Sequence, residues 1–418
     1  MTTLTAPARP HPGYEQHSPG YRRVRIALFA AGIATFAQLY ATQAVLPTLS
    51  GALHVDAAHT ALTVSCATGA LALSVFGWSA LADRYGRVPV MVVSLVVATL
   101  LGLALPLAGG IWPMLALRTL QGAALGGLPA VAMAFLAEEV AARQVAQAAA
   151  VYVAGTSLGG LGGRILSGIS VDLSGSWQLG VLTVSAASVL AAVVFCVAVP
   201  PARGFVPARL RTGAAAPRTS LARRLRTALS DRALLALYAQ ALLLMGAFVT
   251  IYNYLGFRLL DRPFSLTQTV VGLLFLVYVF GTVSASAAGR LVAATSRFTV
   301  LAGSGALFVL GCLLTAASAL PVVLLGLVLL TVGFFTAHAV ASGWVGSIAP
   351  RPVRAQASAL YTFAYYAGSS VLGWLGGTAF EAAGWTAVVA VTAGVGVLAV
   401  AVAALVLRRA GAAGSMNA

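Results

Sequence analysis

The sequence predicts an all-α membrane protein whose twelve transmembrane helices form two pseudo-symmetric six-helix bundles. The first indication is composition: 60% of the 418 residues are apolar and 8% are charged, whereas a soluble domain carries roughly 25% charged residues. The second is the regular spacing of long apolar runs. The third is the distribution of arginine, which is concentrated in alternate gaps between these runs. Together they indicate a chain whose solvent is largely the lipid bilayer.

The apolar runs have the length of membrane-spanning helices. About 20 apolar residues are needed to cross the roughly 30 Å hydrocarbon core of a bilayer. Runs of this kind lie near residues 25–49, 61–82, 88–109, 112–138, 144–171, 177–200, 233–257, 268–289, 299–319, 321–348, 355–381 and 385–407. An even number of spans places both chain ends on the same side of the membrane.

All 25 basic residues are arginine, and their positions test this topology. With the N-terminus in the cytoplasm, the cytoplasmic gaps and tails hold 21 arginines, whereas the outer gaps hold only Arg258 and Arg262. Cytoplasmic loops of membrane proteins carry such an excess. We therefore expect a multi-pass membrane protein with both termini cytoplasmic. The same distribution explains the net charge of +16 without a nucleic-acid partner, which would need one basic face.

Several functional classes are excluded by residues that the sequence lacks. Walker-type ATP binding requires a P-loop lysine, and the chain has no lysine, so no use of ATP is expected. Cys66, Cys196 and Cys312 lie far apart in apolar runs, without the spacing of metal ligands. The spans contain neither paired catalytic carboxylates nor histidines at metal spacing. The sequence thus predicts no enzymatic activity, no metal and no cofactor.

A polar, arginine-rich stretch divides the chain into halves of six spans. We expect a cytoplasmic tail at 1–24, a first bundle at 25–200, a cytoplasmic linker at 201–231, a second bundle at 232–408 and a cytoplasmic tail at 409–418. Leu221, Leu225 and Leu229 recur at helical spacing, which predicts a short linker helix on the anionic inner leaflet; a disordered linker is the alternative. Trp177 and Trp385 follow the fifth and eleventh spans 208 residues apart, as expected for a parallel repeat.

The most specific motif lies between the second and third spans. It reads Ser79-Ala80-Leu81-Ala82-Asp83-Arg84-Tyr85-Gly86-Arg87. This segment resembles the signature loop of the major facilitator superfamily, although Ser79 replaces its first glycine and Val88 its last basic residue. Gly86 permits a tight turn, and the Asp83 carboxylate can accept charge-assisted bonds from an arginine or a helix N-terminus. The resemblance implies a cytoplasmic gate motif of Asp83, Arg84, Gly86 and Arg87; a solvated turn is the alternative.

The first and fourth spans carry the same resemblance. Arg118-Thr119-Leu120-Gln121-Gly122 matches the superfamily's Arg-x-x-Gln-Gly pattern, and Tyr40-x-x-Gln43-x-x-Leu46-Pro47 resembles the first helix of its bacterial sugar-efflux and drug-efflux-like (drug:proton antiporter) branch. An arginine inside hydrocarbon is costly unless it faces a cavity or a partner. Because the resemblance implies that the first and fourth helices line a central cavity, Tyr40, Gln43, Arg118 and Gln121 are candidates for the substrate and proton pathway. Snorkelling of Arg118 to the outer interface is the alternative.

The fifth span contains a glycine stripe that ends at an arginine. Its sequence, Gly155-x-x-x-Gly159-Gly160-x-x-Gly163-Arg164, is similar to the superfamily's antiporter motif, with Gly160 and Arg164 replacing a proline and a glycine. Gly155, Gly159 and Gly163 are expected to let helices pack closely. Arg164 is a further candidate for the substrate pathway. Asp172, two turns further along the same face, is its candidate partner.

The tenth span contains His338, the only histidine within a span. An imidazole can carry a coupling proton near physiological pH, which makes His338 a candidate for the proton pathway. A hydrogen bond to a neighbouring backbone or hydroxyl group is the alternative role.

The resemblance covers nearly the whole chain and implies a secondary active transporter that works by alternating access in the bacterial cytoplasmic (inner) membrane. We expect proton-coupled export of small organic molecules or drugs, so the expected partners are a small-molecule substrate, protons and the lipid bilayer. No acid lies mid-membrane, however, and two arginines do. An anion or sugar transporter or exchanger is therefore the main alternative, and a non-transporting membrane receptor is a remote one.

Overall fold

The computed structural model describes residues 13–205, 207 and 221–408. Within these residues the chain is helical and contains no β-strand, apart from one isolated bridge between Tyr14 and Val140. Ten helical segments of the described chain are long and apolar enough to cross a membrane. They are Pro19–Leu53, Ala57–Tyr85, Arg87–Leu107, Ile111–Glu139, Trp177–Ala198, Arg232–Leu260, Gln268–Ala294, Arg297–Leu314, Leu320–Ile348 and Arg351–Leu407.

The described residues form twelve crossings, because one helix adds to these ten segments and one segment contains two crossings. The helix Val145–Ser174 is 30 residues long and is an additional crossing. It is not among the ten segments because its glycines, its serines, Arg164 and Asp172 lower its mean hydropathy. The segment Arg351–Leu407 contains two crossings, because the backbone leaves the helical region at Ala383 and Gly384, where Gly384 has a φ of 63°. We number the crossings first to twelfth in chain order, so that Val145–Ser174 is the fifth and the last two cover 354–382 and 385–407.

Contacts with the seventh crossing show that the chain reverses at this break. Gly368 lies against the backbone of Leu242, near the start of the seventh crossing, and the Tyr254 hydroxyl, near its end, donates to the Gly373 carbonyl. The returning twelfth crossing accepts a hydrogen bond from Gln240 at the Ala399 carbonyl. The eleventh and twelfth crossings are therefore antiparallel neighbours.

Short polar residues start many of the helices. Side-chain oxygens accept a hydrogen bond from a backbone N–H in the first turn, which satisfies donors that have no partner within the helix. The residues that do so are Ser18, Asp56, Ser176, Asp231, Thr267 and Ser296. The starts of these helices are thus encoded locally, by caps that directly precede them.

The first crossing differs from the single helix over 25–49 that its apolar run predicts. The helix Pro19–Leu39 ends early, a short turn at Gln43–Val45 follows, and a second helix runs over Leu46–Leu53. Pro47 suits the beginning of a helix but not its interior. The carbonyls at the end of the first helix also accept hydrogen bonds from the fourth crossing, as described below. The break places Tyr40 and Gln43 in irregular backbone at membrane depth.

The two halves, residues 19–198 and 232–407, each have their own buried apolar clusters. Leu28, Phe135 and Phe195 belong to a cluster of the first half, whereas Phe248 and Phe308 belong to a larger cluster that is mostly of the second half. Apolar side chains on the outside of both halves are exposed, as expected of helices that face lipid. The structure therefore has the two-bundle architecture that the sequence predicts.

The linker and the tails are described only in part. The helix expected around Leu221, Leu225 and Leu229 is present as Leu221–Ser230 and packs against the seventh crossing. Its position on a lipid surface stays a prediction. Residues 1–12, 206, 208–220 and 409–418, which belong to the expected tails and linker, lie outside the described residues. We call the side on which residues 19 and 407 lie the terminal side, and the other side the opposite side.

A candidate substrate cavity between the two halves

A cavity of about 310 Å³ lies between the two halves. The first and fifth crossings line it from the first half, and the seventh, eighth, tenth and eleventh line it from the second. Its wall is largely aromatic and contains Phe36, Tyr40, Phe248, Tyr278, Phe334, Phe335 and Tyr365. Hydroxyl groups come from Thr156, Ser157 and Thr282, and ionisable nitrogen comes from Arg164 and His338. No carboxylate side chain of the described residues lines it.

Arg164 is the charged residue of this wall. Its Nε donates to Oε1 of Gln43 at 2.7 Å and its Nη1 donates to the carbonyl of Gly160 at 2.6 Å. The centre of the guanidinium lies 4.1 Å from the ring of Tyr40 and 4.5 Å from that of Phe275. Such cation–π contacts stabilise a cation that has left water. The residue is 3% exposed, so its charge is held at depth and faces the cavity.

Gln43 connects Arg164 to the other half of the molecule. While its Oε1 accepts from Arg164, its Nε2 donates to Oδ1 of Asn253 in the seventh crossing at 2.7 Å. Gln43 is buried and does not itself line the cavity. The residues Arg164, Gln43 and Asn253 therefore form a hydrogen-bonded chain across the interface between the halves.

Arg118 lies on the other side of the first crossing, away from the cavity wall. It is fully buried and donates to three backbone carbonyls, those of Thr63, Gln38 and Leu39, and to Oε1 of Gln121. Gln38 and Leu39 end the helix Pro19–Leu39, where carbonyls lack helical partners and a cation is favoured. The expectation that Arg118 joins Tyr40 and Gln43 in the cavity wall therefore does not hold in this conformation. Its burial also rules out snorkelling to the interface here.

Gln121 completes this buried network within the first half. Its Nε2 donates to Oε1 of Gln38 at 3.0 Å and to the carbonyl of Ala98 at 3.2 Å. The network joins the first, third and fourth crossings and has no direct contact with the cavity. A role of Gln121 in the substrate pathway stays a prediction.

His338 lies in the cavity wall. Its Nδ1 is 2.9 Å from the hydroxyl of Tyr361, and its ring lies 4.8 Å from that of Tyr365. The side chain is thus both hydrogen-bonded and adjacent to the cavity, so the two roles considered for it are compatible in geometry.

The gate motif forms an ionic network within the first half, on the terminal side. Nη1 of Arg87 donates to Asp83 at 2.8 Å, and its Nε and Nη2 donate to the two carboxylate oxygens of Glu138 at 3.0 and 2.8 Å. The Arg87 guanidinium also lies 4.0 Å from the ring of Phe205. Gly86 forms the turn with a φ of 109°, which favours glycine, and Arg84 stacks on its neighbour Tyr85. The network fixes the second, third and fourth crossings together at this end.

The glycine stripe of the fifth crossing lies against the backbone of the first. A Cβ atom added at Gly155, Gly159 or Gly163 would come within 2.3, 2.5 and 2.7 Å of the carbonyl oxygens of Phe29, Ile33 and Ala37, respectively. Because each of these distances is too short for a side chain, only glycine allows this approach. The close packing places Arg164, the next residue along, beside Tyr40 and Gln43.

Asp172 does not pair with Arg164, which corrects that expectation. Its carboxylate accepts from the backbone N–H groups of Gln268 and Thr269, at 3.1 and 2.6 Å, where the eighth crossing begins. Two turns of helix separate the two residues by about 12 Å, and a helix N-terminus of the other half is closer to the carboxylate. Glu381 makes the equivalent contact in reverse, accepting from Ala57 N–H at the start of the second crossing at 2.9 Å.

These contacts belong to a set that closes the space between the halves on the opposite side. Gln268 also donates to the Thr48 hydroxyl, and Ser370 donates to the Ser65 carbonyl. Gly256 packs against Pro47 in the same region. Toward the terminal side, Val153, three turns from Arg164, lines the cavity and is 53% exposed. The cavity is therefore closed at its opposite-side end, near Arg164.

The sequence did not single out several residues that build this site. Phe248, Tyr278 and Phe334 supply much of the aromatic wall. One usable signal was the spacing of Phe334 and His338, which puts both on one face of the tenth crossing. The others lie in helices that are apolar on all sides, whose cavity-facing side cannot be identified from periodicity.

Comparison with known proteins agrees with this architecture. The model of the Major Facilitator Superfamily matches residues 28–335. The chain is 37% identical to the uncharacterized MFS-type transporter YybF of Bacillus subtilis (strain 168), over 89% of this chain and 90% of that protein. It is 38% identical to the inner membrane transport protein YnfM of Escherichia coli (strain K12), over 91% of this chain and 89% of that protein.

A solved structure extends the agreement to the fold. A POT family transporter in complex with 5-aminolevulinic acid superposes with a TM-score of 0.75 at 13% identity, covering 95% of this chain and 97% of that one. The family and the relatives are transporters and not enzymes, so this chain is a multi-pass secondary transporter for a small-molecule substrate. The chain belongs to the Major Facilitator Superfamily.

Proposed function

We propose that the protein exports small organic molecules from the bacterial cytoplasm by alternating access, in exchange for protons. The observation that carries this proposal is the cavity between the halves, closed near Arg164 and bordered by the partly exposed Val153 toward the terminal side. A cavity of this kind, at the interface of two repeats, is where such transporters bind substrate. The arginine-rich gaps support a cytoplasmic terminal side, so substrate would enter from the cytoplasm.

The composition of the wall supports organic molecules with an apolar body as substrates. Aromatic rings cover much of it, whereas its neutral polar groups are a few hydroxyls. Sites that recognise polar ligands need several placed hydrogen-bonding groups, since each buried polar group of the ligand must be paired. A sugar would leave many hydroxyls unpaired here, which disfavours that alternative.

His338 is our candidate for the coupling proton. Among the described residues that line the cavity, it is the imidazole, and no carboxylate is present to take this role. Its contact with Tyr361 holds the ring in place, and its ring faces the space that substrate would occupy. Protonation of His338 would then directly weaken or strengthen substrate binding in the cavity.

Transport by purified protein in proteoliposomes tests the proposal. Neutral, cationic and anionic aromatic compounds would be loaded, and their movement followed with and without a pH gradient. We expect the gradient to drive accumulation of at least one compound in the wild type. His338→Gln, which keeps a hydrogen-bonding group, should still exchange substrate across the membrane but lose gradient-driven accumulation.

The matched control is His59→Gln, since His59 is exposed on the opposite side, where its backbone N–H and its ring contact the helix-capping carboxylate of Asp56. This variant should accumulate substrate as the wild type does. Accumulation that ignores the pH gradient in the wild type would end the proton-coupled proposal, and transport directed only inward would end export.

A further inference from the structure

We infer that the cavity binds a monovalent organic carboxylate with a flat apolar body, and that its carboxylate is held by Arg164. The inference rests on the proposed transport function and names its substrate class. Arg164 uses only some of its hydrogen-bond donors. A guanidinium has five N–H donors, and those of Arg164 form two hydrogen bonds, one to Gln43 and one to Gly160.

The remaining donors of Arg164 include both on Nη2. Within the described part of the chain, Nη2 has no acceptor, while the guanidinium lines the cavity. Nη1 and Nη2 form one edge of the planar group, and such an edge can donate two parallel bonds to a carboxylate. Nη2, together with the second N–H of Nη1, therefore provides a preformed carboxylate site.

Charge balance points to the same ligand. Arg164 forms no ion pair with any described residue, because Asp172, the acid of its own helix, is bound to the start of the eighth crossing. A buried charge without a partner is costly. One anionic group would supply the missing charge, whereas a cation would meet repulsion and find no carboxylate in the wall.

The comparison with Arg118 shows that this arrangement is particular to Arg164. Arg118 is also buried in the first half, but it makes four hydrogen bonds to protein oxygens and does not line the cavity. The protein itself satisfies Arg118. It leaves Arg164 unsatisfied on the side that a substrate reaches.

The surroundings of Arg164 specify the rest of the ligand. Tyr40, Phe275 and Tyr278 surround the guanidinium, at 4.1, 4.5 and 5.4 Å from its centre. Phe248 and Phe334 stack on each other further along the wall, with ring centres 4.1 Å apart. These rings favour offset or edge-to-face contact with an aromatic ligand. A volume of about 310 Å³ is at the small end for ligand sites, so one small ring system fits.

Binding of three probes of nearly identical shape tests the inference. Benzoate, benzamide and benzamidine carry charges of about −1, 0 and +1 near neutral pH, and their affinity for the purified full chain in nanodiscs would be measured calorimetrically. We expect the wild type to bind benzoate at least tenfold more tightly than either of the others. Arg164→Gln should abolish this preference, and Arg164→Lys, which keeps the charge but not the fork, should weaken benzoate binding.

The matched control is Arg258→Gln. Arg258 also lies near aromatic rings, those of Phe264 and Trp385, and donates to the Ala317 carbonyl at 3.0 Å, but it does not line the cavity. Its removal should leave the preference for benzoate unchanged. The thermal unfolding temperature of each variant would show that the protein is folded.

Two results would overturn the inference: equal binding of the three probes by the wild type, or a preference for benzoate that survives in folded Arg164→Gln. If Arg164→Gln does not fold, the affinities of the wild type for the three probes decide the inference alone. Failure of the proposed function would give a different result. Selective benzoate binding without movement of any probe across proteoliposomes would retain the carboxylate site and reject transport.

Discussion

Arg118 and Arg164 are two buried arginines, within one half of the molecule, that lack an acidic partner. The cost of placing a guanidinium at membrane depth is offset at Arg118 by oxygens at a helix end and at Arg164 by aromatic faces and Gln43. Arg118 is therefore a structural residue in this conformation, since it joins the first, second and fourth crossings. Arg164 is a residue whose donors remain available.

We expect Arg118→Met to destabilise the protein strongly. The substitution keeps the apolar stem but removes the donor of the Leu39 carbonyl, the partner of Gln121 Oε1 and the additional hydrogen bonds to the Thr63 and Gln38 carbonyls. Each buried group that is left unpaired costs roughly 1–3 kcal/mol. Arg118→Lys should destabilise less, because an ammonium retains the charge at the helix end but cannot reach all the acceptors. Thermal unfolding in detergent would be measured, with Arg143→Met as the control.

Arg143 is suitable because its ion pair with Glu15 lies at the surface, where the Arg143 side chain is 74% exposed and such pairs contribute about 0–1 kcal/mol. Its loss should shift the unfolding temperature little. If Arg118→Met unfolds at the wild-type temperature yet no longer transports, Arg118 belongs to the transport pathway as its motif implies.

At the scale of helices, two carboxylates join the halves through pseudo-symmetric contacts. Asp172 of the fifth crossing binds the start of the eighth, and Glu381 of the eleventh binds the start of the second. The acids are 209 residues apart and the helix starts, Ala57 and Gln268, are 211 apart. The repeat thus duplicates one contact between an acid and a helix N-terminus on both sides of the interface.

Neutralising both acids should favour opening on the opposite side. A charge at a helix N-terminus contributes roughly 0.3–1 kcal/mol. The double variant Asp172→Asn with Glu381→Gln should therefore raise the ratio of open to closed molecules about 3- to 30-fold. Each single variant should give about half of this free-energy change. Spin labels at Leu107 and Arg262, exposed residues of the two halves, would report the change as a longer interlabel distance.

Asp56→Asn provides the control for this pair. Asp56 caps the same helix start as Glu381 but from within its own half, and asparagine is an equally good cap. Its replacement should leave the distance distribution unchanged. A double variant with wild-type distances would mean that apolar contacts alone keep the opposite side closed.

The sequence predicted where the helices lie along the chain better than which side of each helix faces the cavity. Apolar length, polar caps and arginine-rich gaps are local properties, and they predicted even the division of 354–407 into two crossings. The break after Leu39 was not predicted. Pro47 was a local signal for it, but the carbonyls at the end of the first helix are paired by Arg118, from a helix that is distant in sequence. The direction in which each side chain points depends on packing, so the sequence could not separate the buried network from the cavity wall.

At the scale of the whole molecule, the halves are joined on the opposite side and enclose a cavity that we expect to be reached from the terminal side. Single cysteines in a background lacking Cys66, Cys196 and Cys312 would test this with a membrane-impermeant maleimide. Ser230→Cys reports the terminal side, Ser174→Cys the opposite side, and Ser157→Cys the cavity wall.

We expect Ser230→Cys and Ser157→Cys to react in inside-out vesicles, and Ser174→Cys to react in right-side-out vesicles, because the arginine-rich gaps favour a cytoplasmic terminal side. Labelling of Ser157→Cys should also fall when benzoate occupies the cavity, since Ser157 is one helical turn from Gly160 beside Arg164. Reaction of Ser174→Cys and Ser230→Cys from the same side would contradict the crossing pattern. Reaction of Ser157→Cys only from the outside would instead mean that the cavity opens away from the cytoplasm, so that substrate is taken up from the outside in this conformation.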